Sequence, residues 1–275
     1  MGAPAFFLES LFKYQYLQNA LMAAVMVGII CGVIGCFIIL RGMALMGDAI
    51  SHAVLPGVAL AHMFGFSFFI GAVATGVITA LGIGYVSQHS KLKDDTAIGV
   101  MFTAAFALGV VLITLRRGTG VDLWHILFGN VLAVSRADLW MIFALGLLVL
   151  TSIFLFYKQL LLSTFDPTMA RAVGLPPNLI HYLLMLLLSL ITVASLKTVG
   201  IVLVVAMLVT PGASAYLLTE RFPMMLFLSS LLGVISSVAG VYLSFVYDVA
   251  TGASIVLVAS LLFSLSFLYD RLKGN

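Results

Sequence analysis

The stretch between Leu17 and Leu40, LQNALMAAVMVGIICGVIGCFIIL, decides the fold class because it contains no charged side chain. A helix needs roughly 20 apolar residues to cross the hydrocarbon layer of a bilayer, and this stretch is long enough. The whole chain has the same character, since 63% of its 275 residues are hydrophobic, 8% are charged and the mean hydropathy is +1.23. Soluble globular domains do not have such a composition. The sequence therefore predicts an all-α protein that crosses the membrane several times.

Apolar segments separated by short polar connections predict where the chain crosses. The predicted spans are 17–40, 48–64, 66–88, 96–115, 139–157, 179–196, 201–219, 224–246 and 252–269. Residues 121–135 are too few to cross and include Gly129 and Asn130, so we predict a half-helix or re-entrant segment there. We thus expect a transmembrane bundle of eight to ten helices forming a single domain over residues 1–275. Its first 16 residues are predicted to be an interfacial amphipathic segment.

The distribution of lysine and arginine predicts an orientation, because these residues are in excess on the cytoplasmic side. With both termini cytoplasmic, the connection 158–177 is also cytoplasmic. Eight basic residues then lie inside, namely Lys13, Arg116, Arg117, Lys158, Arg171, Arg221, Arg271 and Lys273, and five lie outside, namely Arg41, Lys91, Lys93, Arg136 and Lys197. This orientation requires six crossings before residue 158. A nine-span bundle would place the amino terminus outside.

Several function classes are excluded by what the sequence lacks. It contains no Gly-x-x-x-x-Gly-Lys-Ser/Thr phosphate-binding loop and no His-Glu-x-x-His metalloprotease signature. The net charge of +3 is too small to suggest nucleic-acid binding. We therefore predict that the chain is not an enzyme, and that any ATPase driving transport is a separate chain.

An ionisable pair stands out within the predicted span 48–64. Asp48 and His52 are four residues apart, which puts both side chains on one face of a helix. A carboxylate and an imidazole form a half-site for a divalent transition metal. Two other roles stay open: Asp48, after Gly47, would be a helix N-cap, and His52 would be a core imidazole hydrogen-bonded to a neighbouring helix. Pro56 lacks an N–H and should leave the carbonyl of His52 available to an ion or a water.

The longest polar connection, residues 158–177, contains both ends of a short helix. Asp166 suits the N-cap and Pro167 the first helical position. Gly174 favours the carboxyl end, and Pro176 prevents continuation. The residues alone leave two readings open, a surface turn between spans or a docking element for a cytoplasmic partner.

Two further features are candidates for the transport path. Arg41 would line an extracytoplasmic mouth or anchor the chain at the membrane interface. The motif Thr210-Pro211-Gly212 lies in mid-span, where the proline frees the carbonyl of Met207, and would be a hinge or a kink.

Taken together, these motifs resemble the membrane permease subunits of bacterial metal-ion ABC importers, the family that handles manganese, zinc or iron. The likeness is carried by RGMALMGDAISHAVLPGVAL at 41–60, DTAIG at 95–99, HILFGNVLAV at 125–134, the loop 165–176 and VGIVLVVAMLVTP at 199–211. The resemblance implies a type II ABC importer-like permease in the bacterial cell membrane. It also implies a homodimer, two cytoplasmic ATPase subunits and an extracytoplasmic metal-binding protein that delivers the ion.

The resemblance and the chemistry of the residues together suggest roles for individual residues. Asp48 and His52 would meet the metal ion in passing, near the outer side, while Arg41, Ser51 and Pro56 would line the pathway or gate. Coupling to the ATPase would involve Asp166, Pro167, Met169, Ala170, Arg171, Gly174 and Pro176. The sequence around Asp48 is closest to that of the manganese-type members, and zinc and iron are the alternative metals. We expect no tightly bound cofactor. An ion-coupled secondary transporter is disfavoured, because every acidic residue other than Asp48 lies at a terminus or a connection.

Overall fold

The computed structural model describes residues 3–115 and 131–273, and these residues contain helices and no β-strand. The helices are α1 (Ala3–Lys13), α2 (Gln15–Leu40), α3 (Met46–Ala53), α4 (Leu55–Phe64), α5 (Phe68–His89), α6 (Asp94–Leu115), α7 (Arg136–Leu155), α8 (Tyr157–Phe165), α9 (Pro167–Ala172), α10 (Pro177–Val199), α11 (Ile201–Leu218), α12 (Phe222–Tyr247) and α13 (Thr251–Lys273). A short 3-10 turn, Val131–Ala133, precedes α7. The predicted all-α fold is confirmed.

Eight of these helices are long and apolar enough to cross a membrane: α2, α5, α6, α7, α10, α11, α12 and α13. The predicted span 48–64 is instead two shorter helices, α3 and α4, which meet at Val54. Pro56 lies in the first turn of α4, where its missing N–H costs no helical hydrogen bond. The predicted half-helix at 121–135 falls mostly outside the described residues, which resume at residue 131. Of this segment, 131–133 form the 3-10 turn.

The chain divides into two compact units, and the first comprises Met1–Ile39, Leu123–Leu147 and Ser195–Asn275. Within it, α2 packs against α12 so closely that a Cβ added to Gly28 would lie 2.9 Å from the carbonyl oxygen of Gly233. Two serines of α12 donate across this contact, Ser229 to the carbonyl of Gly32 and Ser237 to that of Ala24, each at 2.8 Å. Such small-residue contacts are how helices associate within a membrane.

Pro211 lies inside α11, as the sequence indicates, and its neighbour Gly212 packs against α2. A Cβ added to Gly212 would lie 3.1 Å from the carbonyl carbon of Gly35. Close packing therefore accounts for Gly212, and the hinge at Thr210-Pro211-Gly212 stays a prediction.

The second unit comprises Leu40–Asp122 and Leu148–Ala194. Here α4 runs antiparallel to α5: Gly57 meets Gly71, and His62 stacks on Phe68 with ring centroids 6.0 Å apart. A side chain on Gly57 would overlap the carbonyl oxygen of Gly71. On another side of α4, Pro56 lies against Gly109 of α6. These contacts hold α4, the helix that follows α3, against both α5 and α6.

Candidate metal-ion site and coupling segment

Asp48 and His52 lie on one face of α3, with Oδ1 of the carboxylate 3.4 Å from Nε2 of the imidazole. The Asp48 side chain is 44% exposed and the His52 side chain 23% exposed, so the pair opens to one surface of the chain. The helix begins at Met46, and its N-cap residue Leu45 makes no side-chain capping bond. Asp48 is therefore inside the first turn, and the alternative role of N-cap is wrong.

The imidazole of His52 is held by two phenylalanines of α6. Its ring centroid lies 5.6 Å from that of Phe102 and 5.7 Å from that of Phe106. Within the described chain, Nδ1 of His52 is buried and has no hydrogen-bond partner. The alternative of a core histidine hydrogen-bonded to a neighbouring helix therefore has no support from the described contacts.

The pair lies beside the central part of a long apolar helix. Phe102 and Phe106 are central in the 22-residue helix α6. The carbonyl oxygen of Val54, two residues after His52, lies 3.4 Å from the Thr75 hydroxyl. Thr75 is well inside α5. The contacts of the pair thus lie level with the middle of α6, and the expectation that the pair lies near the outer side stays a prediction.

One chain supplies only part of a metal coordination shell here. Among residues 3–115 and 131–273, no group of three or more His, Cys, Asp or Glu side chains could hold a metal ion. Two neighbouring ligands of an octahedral ion with bonds of about 2.2 Å are about 3.1 Å apart. The 3.4 Å separation of Asp48 Oδ1 and His52 Nε2 fits such a pair of ligands with little adjustment.

Ser51 and Pro56 do not share the face of Asp48 and His52. The Ser51 side chain is fully buried, and its hydroxyl donates to the carbonyl of Gly47 at 2.8 Å. Pro56 is buried against α6. The carbonyl of His52, which Pro56 was expected to leave available, accepts a bond from the Val54 N–H.

Arg41, directly after α2, is bonded to the connection 158–177. Its Nη2 donates to Ser163 Oγ at 2.6 Å and its Nε donates to Thr164 Oγ1 at 3.0 Å. Groups this close cannot lie on opposite sides of a hydrocarbon layer about 30 Å thick. The prediction of an extracytoplasmic Arg41 together with a cytoplasmic 158–177 connection is therefore wrong. Burial lowers the pKa of Arg41 to about 10, and the side chain stays cationic at neutral pH.

The short helix predicted in this connection is α9, and its ends form as the sequence indicates. Asp166 Oδ1 accepts from the N–H groups of Thr168 at 3.0 Å and Met169 at 2.8 Å. Gly174 has a φ of +80°, a conformation that favours glycine, and the following N–H of Leu175 bonds to the carbonyl of Ala170 at 3.0 Å. Capping at both ends stabilises this short helix.

Three large apolar side chains in and beside α9 are exposed. Phe165 is 60% exposed, Met169 50% and Val173 54%, whereas Ala170 is fully buried. We call Phe165, Met169 and Val173 the apolar set. Exposed apolar side chains on a segment outside the spans are typical of a surface that contacts a partner.

Eight apolar helices of spanning length, with a short capped helix between two of them, indicate a membrane protein that crosses the bilayer several times. The chain belongs to the ABC 3 transport family, whose profile matches residues 13–270. It is therefore a permease subunit, a multi-pass protein of the bacterial cell membrane.

Relatives cover the chain almost end to end. It is 72% identical to the manganese transport system membrane protein MntC of Halalkalibacterium halodurans, over 100% of this chain and 94% of that protein. It is 55% identical to MntC of Listeria monocytogenes, over 98% and 95% of the two chains. The solved structure of PsaBC from Streptococcus pneumoniae in complex with Fab has a chain with a TM-score of 0.84 and 49% identity, covering 96% of this chain and 95% of that one.

Proposed function

We propose that this chain is the permease subunit of an ATP-driven importer that moves manganese into the cytoplasm. It works as a homodimer with two ATPase subunits and receives the ion from an extracytoplasmic binding protein. The observation that carries the proposal is the pair of Asp48 and His52, exposed on α3 with its ligand atoms 3.4 Å apart. The naming of its relatives as manganese transport proteins supports the choice of metal.

A site for passage must bind weakly, and the surroundings of His52 suit that need. Histidine ligands in tight sites donate their second N–H to an acceptor, and losing that acceptor typically costs 10- to 100-fold in affinity. Nδ1 of His52 has no such acceptor among the described residues. Mn²⁺ binds most weakly in the divalent series, so a tight site would select other metals. The pair therefore lets the ion pass, and selection falls mainly to the binding protein.

A second copy would complete the shell. Each chain offers one carboxylate and one imidazole, so two copies around a twofold axis bring four side chains to one ion. Water fills the remaining positions, which suits an ion that must leave again. The carboxylates also compensate the charge of the ion within the membrane, where an unpaired divalent cation is costly.

The orientation follows from the role of α9. If α9 docks on a cytoplasmic ATPase, Arg41 is also on the cytoplasmic side, because it contacts Ser163 and Thr164. Four spans, α10 to α13, return the carboxyl terminus to that side, and the single span α2 places α1 outside. We thus replace two cytoplasmic termini with an outer amino terminus and an inner carboxyl terminus.

The distribution of basic residues between the two sides of the membrane is compatible with this orientation. The α5–α6 turn is cytoplasmic too, because Gly84 of α5 packs on His181, whose Nδ1 is 3.3 Å from Arg41 Nη1. Among the described residues eight basic side chains are then inside, namely Arg41, Lys91, Lys93, Lys158, Arg171, Arg221, Arg271 and Lys273, and three outside, namely Lys13, Arg136 and Lys197.

Single cysteines at the two ends test the orientation. Lys13→Cys should react with a membrane-impermeant maleimide on intact cells, whereas Lys273→Cys should react only after permeabilisation. Both positions are exposed, and the native Cys31 and Cys36 are buried, so the parent chain is a low-background control. Equal labelling of both variants in intact cells, or the reverse pattern, would contradict this orientation.

Transport by the reconstituted complex tests the function. The chain is co-expressed with candidate ATPase and metal-binding proteins from the same organism, and radioactive manganese uptake is measured with an excess of zinc or iron as competitor. We expect co-purification of the permease with the ATPase, and uptake that is blocked by vanadate, insensitive to an uncoupler and competed best by unlabelled manganese. Stronger competition by zinc or iron would change the metal, and uptake abolished by the uncoupler alone would indicate an ion-coupled transporter.

A further inference from the structure

Arg41 is a charged group held almost entirely by neutral partners. Its guanidinium bonds to Ser163 Oγ at 2.6 Å, Thr164 Oγ1 at 3.0 Å and His181 Nδ1 at 3.3 Å. In the part of the chain that the structure describes, no carboxylate lies within ion-pair distance of it. These bonds therefore join Arg41 to the last turn of α8 and to His181 near the start of α10.

A partly buried guanidinium without an anionic partner contributes little to the stability of the fold. Removing a guanidinium from water is costly, and without an anion only the hydrogen bonds offset the cost. Arginine does offer a rigid planar fork whose donors reach several acceptors at fixed angles. Thr164 is itself fixed, because its hydroxyl also donates to the carbonyl of Leu160 at 2.7 Å. The geometry thus specifies the position of α8 relative to Arg41.

The bonds of Arg41 reach the segment that leads into α9. Ser163 and Thr164 precede the capping residue Asp166 by three and two residues. A displacement of α9 by a docked ATPase must pass through this turn of α8, and the turn carries the two hydroxyls that hold Arg41.

On its other side, Arg41 is joined by a short backbone segment to the metal pair. Gly42 follows it with a φ of +69°, and α3 begins at Met46, two residues before Asp48. A Cβ added to Gly42 would meet nothing within 4 Å, so no side chain or backbone packs against this point of the segment. Arg41 is the group between the two functional parts of this unit.

We infer that Arg41 is a positioning residue that links α9 to α3, so that movement of the coupling segment is transmitted to Asp48 and His52. The inference rests on the proposed function and adds the route of coupling to it. Without the guanidinium, the ATPase still docks and hydrolyses ATP, but the metal pair no longer responds. Loss of Arg41 should therefore uncouple hydrolysis from transport.

The test is the ratio of metal transported to ATP hydrolysed by the reconstituted complex. In Arg41→Gln we expect this ratio to fall by about five- to tenfold, the lower end of the range for coupling between sites, while ATPase assembly and ATP hydrolysis persist. Arg41→Lys, with a compact point charge in place of the fork, should fall between Gln and the parent. Arg221→Gln is the matched control, since Arg221 is exposed and follows α11, on the same side of the membrane in the proposed orientation.

A second variant keeps the charge and removes its partners. Ser163→Ala combined with Thr164→Val should lower the same ratio even if Arg41→Gln fails to assemble. An unchanged ratio in Arg41→Gln, or in this double variant when Arg41→Gln cannot be purified, overturns the inference. Failure of the proposed function is distinct, because the parent complex would then transport no metal with ATP.

Discussion

Replacement of Asp48 by alanine is expected to reduce manganese uptake by about 100-fold or more, because losing a direct ligand should cost at least as much as losing its supporting partner. In a homodimer one substitution removes both carboxylates, and the ion would meet two imidazoles within the membrane without charge compensation. His52→Ala should have an effect in the same direction. Uptake of radioactive manganese by cells that express the full system measures both.

Two comparisons separate the metal role from a structural one. Asp48→Asn keeps the size of the side chain and removes its charge, so it should be nearly as impaired as Asp48→Ala. Asp95→Asn is the matched control, because Asp95 is exposed in the first turn of α6. Wild-type uptake by Asp48→Ala and His52→Ala at normal membrane abundance would remove the pair from the transport path.

Met169→Asp is expected to abolish assembly with the ATPase, and with it all ATP-driven uptake. The apolar set, to which Met169 belongs, is exposed on a helix fixed by caps at both ends. A buried, unpaired charge at the centre of an interface commonly costs 2–4 kcal/mol, which corresponds to a 30- to 1,000-fold loss of affinity. Co-purification of the ATPase with a tagged permease measures the result.

The neighbouring residue provides the control for this charge. Thr168 is also exposed in the first turn of α9 but is not part of the apolar set. Thr168→Asp should therefore retain the ATPase and most of the uptake. If Met169→Asp co-purifies with the ATPase as well as the parent does, α9 is not the docking element, and the orientation derived from it loses its basis.

What the sequence predicts well is local. The ends of α9 follow from Asp166, Pro167 and Gly174, because capping and a positive φ depend on neighbours within a few residues. Eight of the nine predicted spans follow from length and apolarity in the same way, whereas 48–64 forms the two shorter helices α3 and α4. The same-face relation of Asp48 and His52 depends only on helical spacing.

What the sequence misses depends on contacts between distant segments. The side of Arg41 is fixed by hydroxyls more than 120 residues away, and no count of basic residues contains that information. Eight basic residues are inside in the orientation predicted from the sequence, and eight described basic residues are inside in the revised orientation. The count therefore does not distinguish the two orientations. The unpartnered Nδ1 of His52, likewise, depends on Phe102 and Phe106 of another helix.

The contact between Gly57 and Gly71 has a consequence for how this permease can evolve. Each glycine lies against the backbone of the other, so an added side chain on either has no room. Elsewhere in a protein core, a larger residue can be accommodated when its neighbour becomes smaller. Here the neighbour is already the smallest residue, and no second substitution can restore the fit. The helix α4, which follows the proposed metal-binding helix α3, therefore contacts α5 at a point where both positions require glycine.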